Sequence, residues 1–358
     1  MGYLIFSHCL GLPQPLNRLG QEHRMRFRRY AALGLALQPV GSLTTPSLLQ
    51  GRTVMSSPSW LPAAEEHAKT LTDLLYPLVE GEPDGGTLKS RMHAVKRHPI
   101  FNFLHYYYRY SAADLSRYSP GVLFAEPLLF ESDDQLELLH PRFRHVESST
   151  VRYSAPPLAA EGRFGWIQLS KTRDVLKFTS IAKPHIFCFG RHEWAMLYKN
   201  HEKKQTALSL RVPQAVIDEV VESGISCTHF DAFRHFAPEA KPFNTAQLTR
   251  EEQEHHEQPA CIHASMDLFK AAYKVYPLTS SDLLQRSLRL GLKARFIDMR
   301  ASPYEVSNFC GTPIRIETAE GRKEYAELQM ELAKDAAPLR KELLEVYNHV
   351  LDTNKPTS

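Results

Sequence analysis

From about residue 60 onward, apolar positions recur mainly at helical spacing. Leu61, Ala64, Ala68, Leu71, Leu74 and Leu75 fall at steps of three and four within residues 60–80, the period of an amphipathic helix. Glu82-Pro83-Asp84-Gly85-Gly86 then breaks the pattern. Residues 88–118 are helical in period and aromatic. Residues 119–165 are rich in Pro, Ser and acids around short apolar runs, which reads as an irregular insert or long connection. Helical periodicity returns near residue 170. Val175 to Tyr198 is an apolar stretch that Pro184 should kink or divide. Pro213 opens a short amphipathic segment ending near Ser223.

Three segments match the capping box: Thr249-Arg-Glu-Glu252, Thr279-Ser-Ser-Asp282 and Ser302-Pro-Tyr-Glu305. In each, the hydroxyl would satisfy an orphan N–H and the acid would reach back to the cap. Glu320 to Leu351 reads as one terminal helix. Period-two alternation is confined to Gly165–Ser170 and Ile314–Thr318, both short. There is no internal repeat and no βαβ rhythm. The expected fold is mainly α: a single helical domain over residues 58–352 with minor β elements.

Residues 1–57 differ from the rest. They hold six arginines, no lysine and one acid, Glu22. Such an Arg-rich, acid-poor leader suits import into a mitochondrion or plastid. A disordered extension, or sequence upstream of a true start at Met55, fits as well, and without import the chain would be cytoplasmic. The chain has 43 basic and 40 acidic residues, and without the leader 37 and 39 remain, a formal −2. The body therefore carries no general electrostatic attraction for nucleic acid. No run of about 18 apolar residues occurs, so no membrane span is expected. Five cysteines, widely spaced and without a C-x-x-C pair, indicate neither a disulfide framework nor a zinc finger. They read as small buried apolar residues in a reducing compartment.

Candidate chemistry lies in five stretches. In CTHFDAFRHF, residues 227–236, Thr228 and Asp231 form a fourth capping-box pattern. Asp231 and His235 would share a helical face, with His229 near the cap. In residues 258–268, His263 and Asp267 are again four apart, preceded by His255, His256 and Glu257. If the two helices face each other, His229, Asp231, His235, His263 and Asp267 would form a divalent-metal or acid–base set. His192 and Glu193 are neighbours in GRHEWAM, where His192 would line a pocket over Trp194 or simply pack. The aromatic run from His98 through Tyr106 to Tyr110 would form core or a stacking pocket for a planar ligand. Arg300, beside the expected helix start at Ser302, would meet an anionic group or pair with Asp298 or Glu305. P-loop, G-x-G-x-x-G, H-E-x-x-H, G-x-S-x-G and zinc-deaminase patterns are all absent.

Residues 98–121 (HPIFNFLHYYYRYSAADLSRYSPG), 190–198 (GRHEWAMLY), 227–236, 258–276 and 298–305 (DMRASPYE) resemble blocks of a poorly characterised, mainly actinobacterial family labelled 3-methyladenine DNA glycosylase. The resemblance spans about residues 95–345. It implies hydrolysis of the N-glycosidic bond to an alkylated base, a nucleobase pocket with stacking aromatics, and a carboxylate at the reacting sugar. Asp231, Asp267 and Tyr106 to Tyr108 would fill those roles. The helix–hairpin–helix motif of the main glycosylase superfamily is not found in this sequence. Three functions stand open at this point: an α-helical enzyme with a His/carboxylate metal or acid–base site, a glycosylase, and a non-catalytic binding or assembly protein. Catalytic candidates are Asp231, His235, His263, Asp267 and Arg300. Candidates for binding a small-molecule or nucleobase ligand are His98, Tyr106, His192 and Trp194.

Overall fold

Five helices frame the molecule: α1 (Leu61–Leu75), α2 (Trp166–Ile181), α3 (Ile262–Lys274), α4 (Ser281–Ala301) and α5 (Ala319–Thr353). The computed structural model describes residues 59–75, 87–162, 164–199 and 208–354. The expected leader and the break at residues 82–86 lie outside them. The fold is mainly α, as expected, with one small three-stranded sheet.

Helices α3, α4 and α5 pack on one another, and α2 lies against α5. Nearly every side chain of α4 is buried, Leu284, Leu288, Leu292 and Phe296 among them. Burial on nearly all sides makes α4 the central helix of the bundle, with Lys293, Arg295 and Asp298 among its buried residues. It starts at Ser280, whose hydroxyl accepts from the Leu283 amide, so the cap falls one residue later than the pattern placed it. Thr279 instead donates its hydroxyl to the Ala272 carbonyl inside the core. Helix α5 begins at Thr318, which caps the Gly321 amide, and runs as the terminal pattern predicts.

Other expectations are corrected. Gly165–Ser170 opens α2 and is not a strand, and Ile314–Thr318 is irregular. The sheet lies instead in the irregular insert: β1 (Leu128–Leu129), β2 (Arg144–Glu147) and β3 (Thr150–Tyr153), antiparallel in the order β1-β3-β2. Its inner residues Leu128, Val151 and Tyr153 bury a small satellite core with Trp60. Ser302 ends α4 rather than opening a helix, and the next helix is Ser307–Cys310. Pro184 does divide its stretch: α2 ends at Ile181 and a short helix, Arg191–Ala195, follows. Residues 88–118, expected to be helical in period, form three short helices, Leu88–Val95, Asn102–Tyr108 and Ala112–Ser116. No helix of the described residues is long and apolar enough to cross a membrane.

His67 of α1 is buried between these parts. Its Nε2 bonds the Leu115 carbonyl at 2.7 Å and its Nδ1 meets the Gln285 side chain. Burial holds its pKa down at about 4, because protonation would cost both solvation and the Gln285 contact. As pH falls below about 6.5, the unfolded chain takes up this proton and the folded chain does not. Stability is therefore insensitive to the group above pH 7 and should fall by about 2 kcal/mol from pH 7 to pH 5. Urea melts of the wild type and of His67→Gln at both pH values measure this. The variant should lose about 2 kcal/mol less, and equal losses would refute the assignment.

Candidate functional site

The loop after α2 reaches the bundle centre through Gly190. Its φ is +73°, and a Cβ there would stand 3.2 Å from the Ala301 Cβ and 3.3 Å from the Tyr325 ring. Glycine thus permits both the left-handed turn and the close approach. Trp194 is fully buried and donates its indole N–H to the Ala301 carbonyl at 2.9 Å. Together these fix the helix Arg191–Ala195 against α4 and aim His192 inward.

There His192 Nε2 stands 2.9 Å from Asp298 Oδ1. Arg295, one turn earlier on α4, bonds the other oxygen of Asp298 at 2.9 Å and Glu193 Oε1 at 2.8 Å. His263 of α3 meets the His192 ring edge-on, centroids 4.5 Å apart. On its other side it stacks parallel to His229 at 5.1 Å.

His229 is presented by a braced loop: Cys227 donates its amide to Asn244 Oδ1, and Asn244 Nδ2 donates back to the Cys227 carbonyl. His229 Nδ1 lies 3.0 Å from Glu257 Oε1 and Nε2 lies 3.7 Å from Asp267 Oδ2. Tyr107 donates its hydroxyl to Asp267 Oδ1 at 2.6 Å. Two ligand-like triads result, His192–His263–Asp298 and His229–Glu257–Asp267, with the ligand atoms within 4.8 Å of one another in each. His263 stacks between them.

Both triads bring a ring nitrogen against a carboxylate oxygen as a buried ion pair. The geometry of these contacts is poor for a hydrogen bond at His192 Nε2, Asp298 Oδ1 and both nitrogens of His229. Two ligands each about 2.1 Å from a common ion, at angles of 90° to 109°, would themselves be about 3.0–3.4 Å apart. The 3.0 Å of His229 Nδ1 to Glu257 meets that spacing and the 2.9 Å of His192 to Asp298 falls just under it, whereas Asp267 lies 3.7 Å from the other ring nitrogen of His229.

The electrostatics agree. Burial opposes a charge on His192, but the Asp298 carboxylate outweighs it and lifts the imidazole above its ordinary range. His229 is raised likewise, burial being overcome by Glu257. Burial and the two neighbouring rings push His263 well below the ordinary value, leaving a neutral imidazole with a free lone pair. Each triad thus has carboxylate charge to offset, by a proton on a histidine or by a cation in its place.

Asp231 is close by but differently engaged. Buried itself, it accepts from Arg250 and from Lys270 Nζ at 3.1 Å, and Arg234 Nε is 3.1 Å away. Burial acts against its charge, but Lys270 and Arg250 prevail and hold the carboxyl far below the usual range. The helix around it is only Phe230–Phe233, with His229 at its N-cap and no side-chain cap. Thr228 and Asp231 therefore form no capping box, and His235 points to solvent rather than pairing with Asp231 on one face.

Of the expected set, His229, His263 and Asp267 come together, with Asp231 at their edge and His192 beyond. Arg300 is not among them: it bonds the Thr312 carbonyl and Glu324. His98 caps its own turn, its Nδ1 accepting from the Ile100 and Phe101 amides. Tyr106 is exposed, and the inward residue is its neighbour Tyr107. Trp194 is core. The sequence offers Asp298 only as a partner for Arg300 and Glu257 only as a neighbour of His255 and His256, and it does not single out Arg295, Lys270 or Cys188. The Cys188 thiol faces His192 Nδ1 at 4.0 Å, which no local pattern signals.

Comparison of the chain with family models, curated proteins and solved structures finds no match.

Arg295 is the buried cation that makes two buried carboxylates tolerable. Arg295→Met should cost about 3–5 kcal/mol, since it strands Glu193 and Asp298 without their partner. Urea denaturation measures the loss. A loss below about 1 kcal/mol would mean that the guanidinium does not hold this layer.

Proposed function

We propose that the protein is a metal-dependent enzyme, with His192, His263 and Asp298 as one divalent-cation centre and His229, Glu257 and Asp267 as a second. The observation that carries this is the convergence of three buried ligand-type groups, His192, His263 and Asp298, whose donor atoms lie within 4.8 Å of one another. An imidazole and carboxylate donor set suits an ion of the zinc, iron(II) or manganese(II) class. When bound, such an ion lowers the pKa of a coordinated water and polarises a substrate oxygen, the chemistry of metal-assisted hydrolysis. The chain's own groups do the rest. Arg295 holds Asp298, Tyr107 orients Asp267, and the neutral His263 offers a lone pair without first losing a proton.

Asp267, alone among the six, is not buried. The second triad is therefore the one a substrate would meet, and the first lies deeper. The test is elemental analysis of purified protein, followed by titration of the chelator-stripped protein with Zn²⁺, Mn²⁺ and Fe²⁺. Asp298→Asn and His229→Gln should each weaken binding at its own centre by about 100-fold or more, beyond the range seen for outer partners. Loading at a hundred times the dissociation constant should stabilise the wild type by about 2.7 kcal/mol. No retained metal, no saturable binding and an unchanged melting temperature after chelation would defeat this reading.

The family resemblance carries a second reading, favoured by one observation. Asp267 combines partial exposure with a Tyr107 hydrogen bond at 2.6 Å, a placement suited to steadying a positive charge on a sugar. As a glycosylase the protein would release 3-methyladenine from alkylated DNA, and Asp267→Asn would abolish release. Pure protein that frees no base from such DNA excludes this activity. If both tests fail, the packing or assembly role remains.

A further inference from the structure

Asp231 sits at the centre of an imbalance. One buried carboxylate gathers three cations, Arg234, Arg250 and Lys270, whose side chains stay 48%, 49% and 41% exposed. Two of them are held in place by more than Asp231. Arg250 lies over the Phe230 ring at 4.6 Å and also donates to Gln253. Lys270 lies over the Tyr107 ring at 4.5 Å, with Asp267 Oδ2 at 3.7 Å. Counting Asp267 and Glu257, three carboxylates face three cations, but the carboxylates are buried or nearly so (4%, 18% and 2% exposed) while the cations are half-exposed, so it is the positive charge that the surface beside the second triad presents.

We propose that this cationic mouth binds the phosphoryl group of a small phosphorylated substrate and sets it against the His229–Glu257–Asp267 centre. This deepens the metal-enzyme reading and rests on it for the position of the chemistry. Two guanidinium forks and an ammonium, fixed around one anchor, present donors from several directions. That matches the three oxygens and double charge of a phosphate monoester better than the two coplanar oxygens of a carboxylate. Asp231 already fills the one carboxylate position among the three. A polyanion is disfavoured, because the body outside residues 1–57 carries a formal charge of −2 and the cations form a cluster rather than a track. In this arrangement Asp231 is a positioning residue, which orders the cations and meets no substrate.

The probe is inorganic phosphate, titrated into the full chain in metal-loaded and chelator-stripped forms, followed by ³¹P line broadening and thermal shift. Saturable binding is expected, weakened at least tenfold in the Arg234→Gln/Arg250→Gln double variant. Sulfate should compete, and chloride at equal ionic strength should not. Single Arg250→Gln, which leaves Asp231 two cations, should show an intermediate loss and guards against misfolding of the double variant. Phosphate binding of equal strength in wild type and variants would overturn the proposal. So would a single-stranded oligonucleotide that binds through the same arginines and is not displaced by phosphate. Metal content is measured on the same samples. Phosphate binding without retained metal leaves this site and removes the metal reading, and metal retention without a phosphate response does the reverse.

Discussion

The interior is organised by one buried charge. The Arg295 guanidinium, enclosed in the bundle, lies between Glu193 and Asp298. A charge taken out of water is tolerated only when opposite charge and hydrogen bonds meet it there. That requirement ties the helix Arg191–Ala195 to α4, and it leaves one Asp298 oxygen turned toward His192. The position of His192, and through it of His263, follows from how the guanidinium is satisfied. The apolar core supplies most of the folding energy, but this ion-pair layer determines which polar atoms face one another.

Helix α3 carries the arrangement outward. His263, Asp267 and Lys270 lie at spacings of four and three, so they form one stripe on one face. On an ordinary surface helix such a stripe would face water. Here it descends from half-exposed Lys270 through partly exposed Asp267 to buried His263. The loops bearing Glu257 and His229, and the short helix bearing Asp231, close over it. A single helix thus links the surface cation Lys270 to the buried His263.

That stripe is what the sequence could show. The pair His263 and Asp267 was legible because helical spacing alone puts both on one face; of the segment after Cys227 expected to meet it, the structure brings His229 to the pair and leaves His235 exposed. The mainly α fold was legible for the same reason, as was the division at Pro184. Asp298 was not, because it joins His192 across 106 residues and nothing in its neighbourhood marks an inward carboxylate. Asp231 misled because a Thr-x-x-Asp pattern is equally a helix cap and a loop with its acid engaged elsewhere. The sheet was misplaced because its strands, of two to four residues, are too short for alternation to register.

Buried charge in this fold comes in two kinds, and their difference supports reading the triads as a site. Lys293, also on α4, is buried with its ammonium bonded to Glu331 at 3.0 Å and Asp335 at 2.8 Å, in hydrogen-bond geometry. This is a satisfied structural pair that ties α4 to α5. His192 and Asp298 are as deeply buried and as close, but they meet as an ion pair whose nitrogen and oxygen lack good hydrogen-bond geometry. Unmade bonds in a buried place cost stability, on the order of 1–3 kcal/mol for each group. The same helix shows that the sequence can satisfy a buried charge fully. Unmet buried atoms also occur elsewhere in the fold, at Ser170, Ser287 and Gln329, so what sets the triads apart is the convergence of three ligand-type groups in each.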